Sequence, residues 1–117
     1  MHILAIENDV IAPPALKTKE LLRAEAARVW DLREQGIIRE IWFTADQHNA
    51  VIMLECADAA EALRNLKSLP LVRAGVIDFT VHELRAYDGF ERLFSAGGPI
   101  EDSDEVQGGH LATLEAD

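Results

Sequence analysis

The chain has 117 residues, of which 49% are hydrophobic and 27% are charged, and these values are typical of one globular domain. Its net charge of −10 and the lack of a basic patch argue against nucleic-acid binding. No apolar stretch approaches the roughly 20 residues of a membrane span, and the first residues lack a signal-peptide pattern. We therefore expect a cytoplasmic protein that does not enter a membrane.

The end of the chain differs in composition from the rest. Residues 101–117 hold six of the 21 acidic residues and none of the 11 basic ones, so residues 1–100 carry only −4. From Ser95 onward the chain is also polar and contains several glycines. We predict a folded domain over residues 1–94 and an acidic tail over residues 95–117 that is mobile or wrapped on a partner.

The first predicted elements are a strand and a helix. The apolar run within His2–Glu7 favours a central strand, and Pro13-Pro14 indicates a loop after it. A helix is predicted over residues 18–35, with Thr18 as its N-cap and Gly36 at its end. Its apolar face repeats at helical spacing and comprises Leu22, Ala26, Val29 and Trp30.

Three strands and a second helix are predicted in the next part of the chain. Strands over residues 37–45 and 50–56 flank a polar break of hairpin size. The spacing of Asp58 and Glu61 is typical of a capping box, which predicts a helix that ends near Ser68 and is closed by the following proline. A last strand is predicted over residues 76–84. The order β-α-β-β-α-β predicts an α+β fold of the ferredoxin-like type, an antiparallel sheet with both helices on one face.

Alternation along the strands divides their side chains between two faces of the sheet. We expect the helices to cover the more apolar face, which leaves a second face with ionisable groups and an apolar middle. Such a face predicts a second subunit that covers it and encloses a cavity. The second face is predicted to hold Glu7, Glu40, Trp42, Met53, Glu55, Asp78, Thr80 and His82, with Ile3, Ala5 and Val51 in its middle.

Several kinds of site lack their sequence signals. The single cysteine, Cys56, rules out an internal disulfide and a zinc site built on thiolates. No closely spaced pair of histidines predicts a metal site, and no glycine-rich loop between a strand and a helix predicts a nucleotide site.

Several short segments together resemble one protein family. They are Ser68-Leu69-Pro70-Leu71, Val81-His82-Glu83-Leu84, Ile41-Trp42, His48-Asn49-Ala50 and the loop at Pro13-Pro14. Over roughly residues 1–90 the chain resembles muconolactone isomerase. The resemblance implies a dimeric α+β barrel, that is, a homodimer or a larger assembly of dimers.

The resemblance also implies a reaction, a proton shift that moves a double bond in an unsaturated lactone during the catabolism of aromatic compounds, without a cofactor or a metal. Such a reaction needs groups that remove and return a proton. We predict His82 and Glu40 as these catalytic groups, with Glu7 and Asp78 as a second possibility. The small-molecule substrate is predicted to contact Trp42, Met53, Arg39 and Thr80, with Arg39 or Arg85 meeting a substrate carboxylate.

Two other functions remain open because one fold serves many activities. One is a non-catalytic ligand-binding or assembly module. The other is a dimeric-barrel monooxygenase, either cofactor-free or heme-dependent.

Overall fold

The computed structural model describes residues 1–8 and 16–95, which belong to two compact units, residues 1–85 and residues 86–117. The described elements of the first unit are β1 (His2–Asn8), α1 (Lys19–Glu34), β2 (Ile38–Phe43), β3 (Ala50–Glu55), α2 (Ala59–Lys67), α3 (Pro70–Arg73) and β4 (Asp78–Glu83). The loop at Pro13-Pro14 and the acidic tail beyond Ser95, for which we made predictions, lie outside the described residues.

The four strands form one antiparallel sheet in the order β2-β3-β1-β4. The two central strands, β1 and β3, are neighbours, and the edge strands are β2 and β4. Helix α1 contacts β2 and α3, whereas α2 contacts β4 and α3. This arrangement confirms the predicted ferredoxin-like α+β fold.

The predicted caps of both long helices are present. The Thr18 hydroxyl accepts a hydrogen bond from the N–H of Leu21 at 3.1 Å, and Gly36 closes α1 with a φ of +78°. At the start of α2, the Asp58 carboxylate accepts from the N–H of Glu61 at 2.9 Å. The Glu61 carboxylate accepts from the N–H of Ala57 at 2.6 Å, one residue earlier than the usual capping box.

Replacement of Asp58 by alanine should destabilise the domain by about 1 kcal/mol, because it removes the cap of α2. The free energy of unfolding in urea measures this effect. Asp31 is an exposed acid within α1 and provides the control, since Asp31→Ala removes the same charge without removing a cap. Equal destabilisation by both variants would contradict the capping role of Asp58.

Proline has a second role that we did not predict. The helix α2 ends at Lys67, as expected, but Pro70 is also the first residue of the additional short helix α3. A proline fits this first position because the N–H that it lacks has no partner within the helix there.

The core lies between the helices and one face of the sheet. Its fully buried side chains include Ile3 and Ala5 from β1, Ile52 and Leu54 from β3, and Leu32 from α1. The smaller helix α2 contributes mainly Ala62 and Leu66.

The prediction of which face the residues of strand one occupy was wrong. Ile3 pairs with Leu54 and Ala5 pairs with Ile52, and directly opposed residues of an antiparallel pair share a face. Ile3, Ala5 and Glu7 therefore face the helices, while Leu4 and Ile6 lie on the other face. A continuous apolar run contains no alternation, so the sequence of this strand did not reveal its orientation.

The described part of the second unit contains the short helix α4 (Glu91–Phe94). The rings of Tyr87 and Phe90 meet edge to face at 4.9 Å between centroids, and both side chains are exposed. Within residues 1–8 and 16–95, no helix has the length and apolar character needed to cross a membrane.

Candidate functional site

A cavity of about 530 Å³ lies between α1 and the helix-covered face of the sheet. Its walls are mainly apolar, and its volume falls in the range of small-molecule sites. The apolar face predicted for α1 forms one wall, with Leu22, Ala26, Val29 and Trp30. The sheet contributes Ile41, Phe43, Ala50, Ile52 and Phe79, and Leu71 and Ile77 line the cavity from residues 70–77.

Three ionisable side chains line this apolar cavity: Glu7, Glu25 and Arg33. Glu7 reaches it because it continues the face of Ile3 and Ala5 at the end of β1. Glu25 and Arg33 reach it because they interrupt the apolar face of α1 at helical spacing. A few polar groups in an apolar cavity are typical of a site that binds and orients a small molecule.

The Glu25 carboxyl is half-buried and held in place by the backbone. Its Oε1 accepts a hydrogen bond from the N–H of Leu71 at 2.9 Å. Burial raises the pKa of Glu25 above its usual range, the hydrogen bond from Leu71 opposes this shift, and the charge of Glu7 adds to it. Glu25 therefore keeps its proton to a higher pH than an ordinary glutamate does.

The Glu7 carboxyl is also fixed by a backbone donor. Its Oε1 accepts a hydrogen bond at 2.8 Å from the N–H of Ala50, the first residue of β3. Two anchored carboxyls with different surroundings thus face one apolar cavity. Such a pair is suited to proton transfer, with one group accepting a proton and the other donating one.

The other predicted site residues lie mostly on the opposite face of the sheet, which we call the open face. This face carries Glu40, Trp42, Met53, Asp78, Thr80 and His82, as predicted, together with Leu4, Ile6 and Val51. Glu55 also lies there, where it pairs with the amino terminus and with Nδ1 of His2, the latter at 2.6 Å. The open face is therefore an apolar surface with ionisable groups around it.

The structure does not bring His82 and Glu40 together within one chain. His82 lies opposite Leu4, Leu4 opposite Met53, and Met53 opposite Glu40, so the two residues end one row that crosses the whole sheet. Three strand spacings separate them, which is about 14 Å. They cannot exchange a proton directly across this distance.

Several open-face side chains are engaged locally. The indole N–H of Trp42 donates to Glu40 at 3.3 Å, and the Thr80 hydroxyl donates to Oδ1 of Asn8 at 2.9 Å. Asp78 accepts from the N–H of Phe79 at 2.8 Å. Arg39 is exposed on the edge strand β2, where the pairing with β3 is irregular, and it does not line the cavity.

Glu25 and Arg33 were not predicted as site residues from the sequence. Both occupy positions within the apolar face of α1, three residues after Leu22 and three residues after Trp30 respectively. The apolar face of a helix normally packs on a core, and a core excludes ionisable groups. Ionisable residues within such a face were therefore a sequence signal for a functional site. No group of three or more His, Cys, Asp or Glu side chains within residues 1–8 and 16–95 is arranged to hold a metal ion.

The fold and the cavity define a ferredoxin-like α+β protein with a mainly apolar cavity between α1 and its sheet. Within this class, the chain belongs to the muconolactone delta-isomerase family, whose sequence model matches residues 5–88.

Two solved structures share the fold. A crystal structure of muconolactone isomerase matches with a TM-score of 0.63 and 18% identity, over 86% of this chain and 100% of that chain. A 5-chloro-2-hydroxyhydroquinone dehydrochlorinase from Burkholderia phenoliruptrix, in complex with 2,5-dihydroxybenzoquinone, matches with a TM-score of 0.53 and 18% identity, over 73% and 94% of the two chains. No curated protein sequence matches the chain. The fold thus serves more than one reaction.

Proposed function

We propose that the protein is an isomerase that moves a double bond within an unsaturated lactone by proton transfer, in the catabolism of aromatic compounds. Membership of the muconolactone delta-isomerase family supports this reaction class. The observation that carries the proposal is Glu25, an anchored carboxyl with a raised pKa that faces an apolar cavity beside Glu7. Enzymes commonly use such shifted carboxyls as acids and bases.

In the proposed reaction, the Glu7 carboxylate removes a proton from a ring carbon next to the conjugated system. The electron pair of the broken C–H bond enters that system and forms a dienolate, and Glu25 delivers its proton to the carbon at the other end. The double bond moves and the substrate is neither oxidised nor reduced. Glu7 ends protonated and Glu25 ionised, and proton exchange with water restores both.

Incubation of the protein with muconolactone in deuterated water, followed by NMR, tests the reaction class. The proposal predicts migration of the double bond together with deuterium uptake at the new C–H position. Failure to turn over this or related unsaturated lactones would contradict it. Binding of a lactone without turnover would instead favour a non-catalytic ligand-binding module.

Replacement of Glu7 by glutamine should lower the pKa of Glu25. The nearby negative charge of Glu7 disfavours the ionised form of Glu25, so its removal shifts that pKa towards the usual range. Titration of the Glu25 carboxyl carbon by NMR measures the shift. Glu40→Gln is the matched control, because it removes the same charge on the open face and should leave the pKa of Glu25 unchanged. A pKa that stays the same or rises in Glu7→Gln would contradict the coupling.

We further propose that a second copy of the chain covers the open face and completes a homodimer, alone or within a larger assembly. Leu4, Ile6, Val51, Met53 and Trp42 form a contiguous apolar surface there, and Trp42 is 64% exposed in the single chain. Soluble proteins normally cover apolar surfaces of this kind.

The residues predicted as catalytic on the open face acquire a different role in this proposal. Glu40, Asp78 and His82 lie around the apolar surface, where charged groups set the orientation of the partner. They are not among the residues that line the cavity under α1. The cytoplasm remains the predicted place of action.

A further inference from the structure

The ionisable groups that line the cavity are divided by sign along α1. Glu7 lies beside Ala50 at the end of β1, whereas the C-terminal end of α1 lies at the other end of the sheet, where Ile38 pairs with Leu54. Glu25, in the N-terminal half of α1, therefore lies nearer than Arg33 to the Glu7 end of the cavity. Arg33 lines the cavity eight residues after Glu25, which is about 12 Å farther along the helix axis. One end of the cavity is therefore acidic and the other is basic.

Arg33 is available to bind a ligand. Its side chain is exposed, which places it at the mouth of the cavity, whereas Glu25 is half-buried. Within the described part of the chain, no ion pair joins the Arg33 guanidinium to a carboxylate. A guanidinium presents a planar set of donors that matches both oxygens of a carboxylate.

From this arrangement we infer that Arg33 is a specificity-determining residue that selects an anionic ligand and fixes its direction in the cavity. The Glu7 carboxylate repels an anionic group at one end, and Arg33 attracts it at the other. A lactone that carries a carboxylate is thereby held with its uncharged ring towards the two carboxyls. This inference rests on the proposed isomerase function only for the identity of the ring.

The apolar lining between the two ends supports this orientation. Val29 and Trp30 lie between Glu25 and Arg33 along α1 and line the cavity, and Ile41 lines it from the sheet. A ligand that spans the cavity therefore meets a charge at each end and an apolar wall between them. The apolar surroundings also strengthen the attraction between Arg33 and a carboxylate relative to bulk water.

Calorimetric binding of two saturated probes tests the inference without depending on turnover. One probe is a γ-lactone with a carboxymethyl group, and the other is its uncharged methyl ester. The full-length protein should bind the carboxylate about tenfold more tightly than the ester, as expected for a charge-assisted hydrogen bond near solvent. This preference should be lost in Arg33→Gln and should decrease with added salt.

Arg23→Gln is the matched control, because Arg23 lies on the same helix, is exposed and does not line the cavity. It removes the same charge and should keep the preference for the carboxylate. Three results would overturn the inference: no binding of either probe, an equal loss of preference in both variants, or a preference that persists in Arg33→Gln. Neither probe can be isomerised, so this test does not depend on the proposed isomerase activity. If that activity is absent but the inference about Arg33 holds, the protein will bind the carboxylate probe and turn over no unsaturated lactone.

Discussion

The Glu25→Gln variant should lose turnover by about 100- to 10,000-fold and should nevertheless be more stable than the parent protein at neutral pH. The rate should fall because glutamine cannot carry the proton that the reaction needs. The stability should rise because glutamine places no charge in a site that disfavours one, while its amide oxygen can still accept the hydrogen bond from Leu71.

The pH dependence of stability follows from the raised pKa of Glu25. Folding disfavours the ionised form, so the penalty is absent below the pKa of an unfolded glutamate. It develops as the pH rises from that value through the raised pKa of the folded protein, and it persists above. The gain in melting temperature of Glu25→Gln should therefore be present at neutral pH and disappear in acid.

Turnover and melting temperature of the same preparations measure both effects. Glu20→Gln is the matched control, since Glu20 is exposed in the first turn of α1 and does not line the cavity. It should change neither property to a comparable degree. A Glu25→Gln variant with unimpaired turnover would contradict the assignment of Glu25, whatever its stability.

A glutamate in place of Met53 should separate the proposed dimer into folded monomers. Met53 lies in the middle of the open face, between Leu4 and Glu40, so the substitution places an unpaired charge in the buried interface. Burial of such a charge costs several kcal/mol, whereas in the monomer water can reach the same position. The fold of the single chain should therefore survive.

Sedimentation velocity and circular dichroism of Met53→Glu measure assembly and fold in turn. Ala60→Glu provides the control, because it adds the same charge at an exposed position on α2. The control should remain a dimer. A parent protein that is monomeric at micromolar concentration, or a Met53→Glu variant that still dimerises, would contradict the open-face interface.

The sequence predicts most of the fold because the relevant signals are local. The caps at Thr18 and Asp58 fix the starts of two helices, and the alternation in β3 and β4 identifies the faces of those strands. Between its terminal residues, His2 and Asn8, β1 has one polar residue, Glu7, and we placed it on the open face because acids are rarely buried. Its partner, the N–H of Ala50, comes from a strand 43 residues away, and no local pattern reveals that contact.

The site was harder to predict than the fold for a related reason. The apolar face of α1 is typical of a helix that packs on a core, yet Leu22 is 46% exposed and Trp30 is 60% exposed, because the face lines an open cavity. Whether such a face packs or lines a cavity depends on the distance between the helix and the sheet. Glu7 and Glu25 come to line the same cavity only through that tertiary placement.

The most direct test of the central claim is where a lactone binds. Addition of the saturated carboxymethyl lactone to uniformly ¹⁵N-labelled protein should shift the amide signals of Leu71 and Ala50, whose N–H groups donate to Glu25 and Glu7. The amides of Thr80 and His82 on the open face should change little. Shifts confined to Thr80, His82 and their neighbours would show that the ligand binds the open face and would contradict a site beneath α1.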